Sequence, residues 1–251
     1  MAALLGQDQV VLGDAPLETV VGKLSGGEIE QIAEGVLGRF DPAALKTPKR
    51  TPILELVQQA ISNDGLIFDG SQDLGTTMDG RKILGTFQQE PLAIQIDSSL
   101  AHEDTKFRFT IAHELGHYTL HRNLPIGEDV ALKRVIQDTD VHFGGGPKAL
   151  VTPRDWIEWQ ANFFAAALLV PRATIGGAVK KVQKGMGITN NLGQILWERH
   201  SYSYNDLKQQ IEELGLIYLV SFSVMRYRLE GLKIIVDRRD RSISTRIRQA
   251  R

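Results

Sequence analysis

The stretch Phe109-Thr110-Ile111-Ala112-His113-Glu114-Leu115-Gly116-His117 has residue types and a spacing that could do chemistry. Two histidines four residues apart on a helix project from one face, one turn apart. That spacing lets both imidazoles reach a single tetrahedral Zn2+. Glu114, next to the first histidine, is awkwardly placed to bind the same ion. It is well placed to take a proton from a water whose pKa falls toward about 7 on zinc. A helix can also carry two histidines as satisfied structural residues. Against that, Ile111, Ala112 and Leu115 make an apolar setting in which two unpaired imidazoles are costly.

A catalytic zinc needs a third protein ligand and an open position. The chain has no cysteine, which removes thiolate ligands, disulfides and a cysteine nucleophile together. Asn123 stands ten residues past His113, where a metzincin-type site needs a histidine. His121 drifts about 80° around the helix from His113 and reads as a structural histidine. A carboxylate from a second helix is the better candidate, and Glu158 stands out, with Asn162 four residues on. Such a pair can supply one ligand and one hydrogen-bond partner for a ligand imidazole. Glu158 also has an ordinary explanation, because carboxylates are favoured in the first turn of a helix; Asp155 suits that role as well. A His2Glu site with an open position accepts Mn2+, Fe or Co as readily as Zn2+.

The elements that must position these residues can be read from period and punctuation. A helix begins at Ser25, with Ile29, Ile32, Ala33 and Val36 at helical spacing, and a second short one spans 52–61. A turn at 78–81 precedes strands over 83–87 and 92–97, the second started by Pro91, which suggests a small antiparallel sheet. Leu92, Ile94 and Ile96 share one face, and this strand is the candidate for pairing with an extended substrate. The metal motif lies on a helix over 105–122, and Glu158 on a helix over 155–170 that stops at Pro171. An irregular loop over 144–147 separates them. From 176 onward the pattern suggests helices over 192–200 and 204–214, then β-rich runs over 216–222 and 232–236. The expected organisation is an N-terminal arm (1–24), an α+β metal-binding domain (25–175), and a C-terminal module (176–251).

Composition sets limits. Apolar residues make up 42% and charged residues 24% of 251, ordinary for a globular chain able to bury a core. The net charge of −1 supplies no overall field toward nucleic acid or anionic membrane. No apolar run is long enough to span a membrane, and the chain reads as cytoplasmic. The C-terminus is locally basic: Arg226, Arg228, Lys233, Arg238, Arg239, Arg241, Arg246, Arg248 and Arg251 face only Glu230, Asp237 and Asp240. That motivates an alternative, a DNA-binding regulator with a structural or non-proteolytic metal site. Tyr202, Tyr204, Tyr218 and His200 are chemically able to stabilise an oxyanion, though a structural role is the simpler reading of each.

Two segments taken as a pair carry a family likeness. The run from Phe109 to His121, followed by Glu158-Trp-Gln-Ala-Asn-Phe-Phe-Ala-Ala-Ala-Leu-Leu-Val-Pro171, resembles the ImmA/IrrE family of metallopeptidases. The likeness is firm over 92–171 and looser over the rest of 25–220. It implies a zincin-like domain with His113, His117 and Glu158 as metal ligands, Glu114 as base and Asn162 behind a ligand imidazole. It also implies a helix-turn-helix-like segment over 192–214, and a protein substrate: a helix-turn-helix repressor whose cleavage releases stress-response or mobile-element genes. The match over 192–214 is weak, with Ser201-Tyr202-Ser203 in the turn and a glutamine-rich second helix.

Overall fold

Helix α1 (Gly26–Phe40) starts at a capping box: Ser25 accepts from the Glu28 N–H, and the Glu28 carboxylate accepts from the Ser25 N–H. The computed structural model describes residues 23–78, 80–124, 132–135, 152–198 and 201–239. A 3-10 turn (Pro42–Leu45) leads to helix α2 (Ile53–Asp64), which Gly65 closes in the left-handed conformation at φ 69°. The metal motif lies on α3 (Asp104–His121). Every residue from Phe109 to His117 on it is buried, so no amphipathic period marks this helix. Helix α4 (Pro153–Leu169) opens with a second capping box, Thr152 with Asp155, and Pro at its first position. Asp155 thus completes the cap from the first turn, and Glu158 stands further along the helix.

The sheet has four strands in the order β1-β3-β2-β4: β1 (Ile67–Asp69), β2 (Ile83–Gln88), β3 (Ala93–Ile96) and β4 (Leu132–Val135). It is mixed rather than antiparallel, because β1 runs parallel to β3 while β2 is antiparallel to both β3 and β4. The short β1 was not anticipated. It converts the expected substrate strand into an interior one: β3 is paired on both edges, with Ile67 opposite Ala93 on one side and Gly85 opposite Ile96 on the other. Ile94 and Ile96 are core residues and Leu92 is half-buried just ahead of the strand. With its backbone donors and acceptors used within the sheet, the segment carrying Leu92, Ile94 and Ile96 is not available to pair with a peptide.

The C-terminal half departs most from expectation. Helix α5 (Arg172–Gly185) follows Pro171 directly, and the boundary drawn at 175/176 falls inside it. Residues 192–198, the described part of the helix expected over 192–200, are not helical. Asn191 (φ 55°) and Gly193 (φ 92°) turn the chain into strand β5 (Ile195–Trp197), which pairs in parallel with β6 (Ile235–Asp237). Between them run α6 (Ser201–Tyr218) and α7 (Phe222–Gly231), so the helical pair expected over 192–214 is replaced by a strand followed by one long helix. The β-branched and aromatic run at 216–222 completes α6 and begins α7, with Leu219 at φ 54° and Ser221 capping α7. Tertiary burial overrides β-propensity there, since Tyr218 is fully buried and bonded at 2.9 Å to Thr174.

These helices share one apolar core with α1–α4. Arg228 from α7 reaches the buried carboxylate of Glu30 on α1 through two N–H donors, and donates a third to the Val170 carbonyl at 2.9 Å. Arg108 on α3 likewise donates to Thr51 and Leu219 carbonyls. Among the described residues, no single helix is long and apolar enough to cross a membrane. Residues 1–22 of the arm expected over 1–24, and the loop over 144–147, lie outside the described residues.

Candidate metal centre

Helices α3 and α4 pack closely because Gly116 has no side chain. A Cβ there would come within 3.1 Å of the Ala161 backbone. This approach brings the α4 carboxylate to the α3 imidazoles. Glu158 Oε2 lies 3.3 Å from His113 Nε2 and 3.9 Å from His117 Nε2, and the two Nε2 atoms are 2.9 Å apart. The point equidistant from corners separated by 2.9, 3.3 and 3.9 Å is about 2.0 Å from each, the length of a Zn–N or Zn–O bond. His113, His117 and Glu158 therefore form a group that could hold a metal ion.

The hydrogen bonds behind the imidazoles decide their tautomers. Asn162 Oδ1 sits 3.0 Å from His113 Nδ1 and can only accept, so Nδ1 carries the proton and Nε2 keeps its lone pair. Gln160 Oε1, 3.0 Å from His121 Nε2, accepts in the same way and leaves His121 Nδ1 as an acceptor. His117 Nδ1, 3.0 Å from that atom, must then be the donor, which leaves its Nε2 bare as well. Burial holds His121 below the usual histidine range, in keeping with this neutral form. Two nitrogen lone pairs and a carboxylate oxygen thus converge on one point. Uncompensated, that arrangement is repulsive; a divalent cation satisfies all three. Glu158 Oε1 is also buried without a hydrogen-bond partner among the described residues.

Glu114 is fully buried beside β2. It fits only because position 85 is glycine: a Cβ there would stand 2.5 Å from Glu114 Oε1 and 2.7 Å from Thr110 Cγ2. The β2–β4 register shifts between Ile83 and Gly85, a bulge that bends the strand beside this carboxylate. Phe87, also on β2, lies parallel to the His117 ring with centroids 6.5 Å apart. Both histidines are fully buried, whereas the Glu158 side chain keeps 25% of its surface exposed, so the site opens toward solvent on that side.

The sequence-selected residues divide clearly. His113, His117, Glu158 and Asn162 meet in one place, with Glu114 adjacent to His113 in the chain and its carboxylate against Gly85; Leu92, Ile94 and Ile96 do not join them. Tyr218 is committed to Thr174, Tyr204 lies against Trp197 at 6.2 Å, and His200 lies outside the described residues. Gly85, Phe87 and Gln160 were missed, because nothing in local spacing ties them to the motif. A cavity of about 360 Å³ lies on the opposite face of α3, lined in part by Leu115, Tyr118 and Arg122, and holds none of the metal-site side chains. The described C-terminal arginines have carboxylate partners: Arg226 with Glu230, Arg228 with Glu30, Arg238 with Glu198 and Arg239 with Asp237. No protein-family model matches the chain, and no curated protein matches it.

Proposed function

We propose that this chain is a zinc-dependent endopeptidase in which His113, His117 and Glu158 hold the metal and Glu114 is the general base. The observation that carries this is the convergence of three acceptor atoms with metal-ligand spacing, and the residue that follows His113 in the chain is a buried carboxylate that is not one of them. A bound Zn2+ supplies Lewis acidity toward a carbonyl and toward water, whose pKa it lowers to about 7; Mn2+ or another divalent ion can do the same. Asn162 and His121 fix the imidazole orientations. Glu114 takes the proton from the attacking water and delivers it to the departing amine. In the four-stranded sheet β1 and β4 are the edge strands. Strand β4 borders β2, which touches Glu114 at Gly85, so β4 is the better edge for an extended peptide.

The substrate class follows from the likeness to the ImmA/IrrE metallopeptidases: a helix-turn-helix repressor, cut at one or a few bonds to release stress-response or mobile-element genes. The zincin-like core belongs to the same reading. The test is to incubate the zinc-loaded protein with the repressor encoded beside its gene and to read the fragments by mass spectrometry. A single metal-dependent cut, lost in Glu114→Gln while zinc stays bound, is the expected result. Cleavage that survives Glu114→Gln overturns the mechanism. The DNA-binding alternative gains nothing from the described arginines, whose carboxylate partners offset their charge. Binding to duplex DNA that weakens steeply with salt would revive it.

A further inference from the structure

We infer that His121 and Gln160 form a two-residue relay that fixes the tautomer of His117, acting as positioning residues for metal capture. The inference rests on the metal site proposed above, and it separates the two imidazoles by how they are supported. His113 is held directly by Asn162, across a single hydrogen bond of 3.0 Å. His117 Nδ1 instead meets His121 Nδ1, also at 3.0 Å. Its partner is another imidazole, which can donate or accept and so cannot by itself decide which nitrogen of His117 keeps the proton. Gln160 makes that decision. Its Oε1 can only accept, which puts the His121 proton on Nε2, exposes the His121 Nδ1 lone pair and obliges His117 to donate from Nδ1.

His117, His121 and Gln160 are all buried, so water does not offer an alternative partner at either link. The chain of bonds also ties the end of α3 to α4, the helix that carries Glu158. Without the relay, His117 gains access to the other tautomer, with a proton on the nitrogen that must face the ion. Metal binding then has to displace that proton or turn the ring.

The experiment measures zinc affinity by competition with a chromogenic chelator, together with the apo-protein imidazole tautomers from long-range 1H–15N spectra. The variants are His121→Leu, which fills the space without an acceptor, and His121→Asn, whose carboxamide oxygen can stand where Nδ1 was. Zinc affinity falls about 10- to 100-fold in His121→Leu, with His117 moving toward the Nε2–H tautomer, and stays within about threefold in His121→Asn. Gln160→Leu weakens binding alone but adds little in the His121→Leu background, because the two act in series. If His121→Leu does not fold, Gln160→Leu carries the test with every imidazole still in place. Wild-type affinity and an unchanged His117 tautomer in a folded His121→Leu or Gln160→Leu overturn the relay and leave the metal site standing. A wild-type protein that binds no zinc overturns both.

Discussion

Replacing Gly85 with alanine tests whether Glu114, the proposed general base, depends on a missing side chain. The new Cβ would stand 2.5 Å from Glu114 Oε1 and 2.7 Å from Thr110 Cγ2. Ordinary contact begins near 3.4 Å, so the carboxylate must retreat by about 0.9 Å. A displacement of about 1 Å at a reacting group costs on the order of 100-fold in rate, or about 2.7 kcal/mol of barrier. Overpacking at the same place destabilises the fold by about 1–3 kcal/mol. The metal ligands are not among the close contacts of that Cβ, so zinc affinity stays near that of the wild type. The assay is the rate of repressor cleavage with zinc content verified by mass spectrometry, alongside urea unfolding. Adding Thr110→Ser relieves the threonine contact and not the Glu114 contact, so stability recovers and the rate stays low. A zinc-loaded Gly85→Ala protein that cleaves within about twofold of wild type would refute the reasoning.

Other expectations address the scaffold. Gly116→Ala pushes α3 and α4 apart at the Ala161 backbone, and because the two histidines ride on α3 and Glu158 on α4, zinc affinity measured by chelator competition falls together with stability. Arg228→Met strands the buried Glu30 carboxylate and costs about 3–5 kcal/mol in urea unfolding, most of which returns in the Glu30→Met/Arg228→Met pair. Asp97 supplies a pH signature. Burial pushes its carboxyl up, but hydrogen bonds from Ser99, the Leu74 N–H and Lys82 outweigh that and hold it at about 2, below its ordinary 3.8. The folded value is the lower one, so this stabilisation is present above about pH 4 and is lost as pH falls toward 2; Asp97→Asn removes about 2 kcal/mol of it at neutral pH. Urea unfolding of both proteins across that range checks the sign.

Much of the site was legible because its chemistry is local. A spacing of four residues on a helix places two imidazoles on one face whatever surrounds them, and Glu114 follows from adjacency. The capping signal at Ser25 and the stop at Pro171 are local too, which is why α1 and α4 stand close to where period and punctuation put them. The C-terminal half was misread where local preference and burial disagree. Residues 216–222 have strand-forming side chains but end one helix and begin another, because Tyr218 and Val220 are buried in the shared core. The helix expected over 192–200 yields to a strand because Asn191 and Gly193 take left-handed turns and β6 supplies a partner from about forty residues away.

The sequence by itself picked out the candidate ligand types, the proposed proton acceptor and the pairing of two imidazoles, since each depends on residues within one or two helical turns. Tertiary structure decided everything that requires two segments to meet. It brought Glu158 to His113 across the Gly116–Ala161 contact, opened room for Glu114 by leaving position 85 bare, and buried β3 between two neighbours so that it cannot receive a peptide. It also set His121, read from the sequence as a structural histidine, between His117 and Gln160, because only the packing of α4 against α3 puts Gln160 opposite its far nitrogen. Helical periodicity reports which residues share a face; what that face meets depends on packing between distant segments, which a local pattern does not contain.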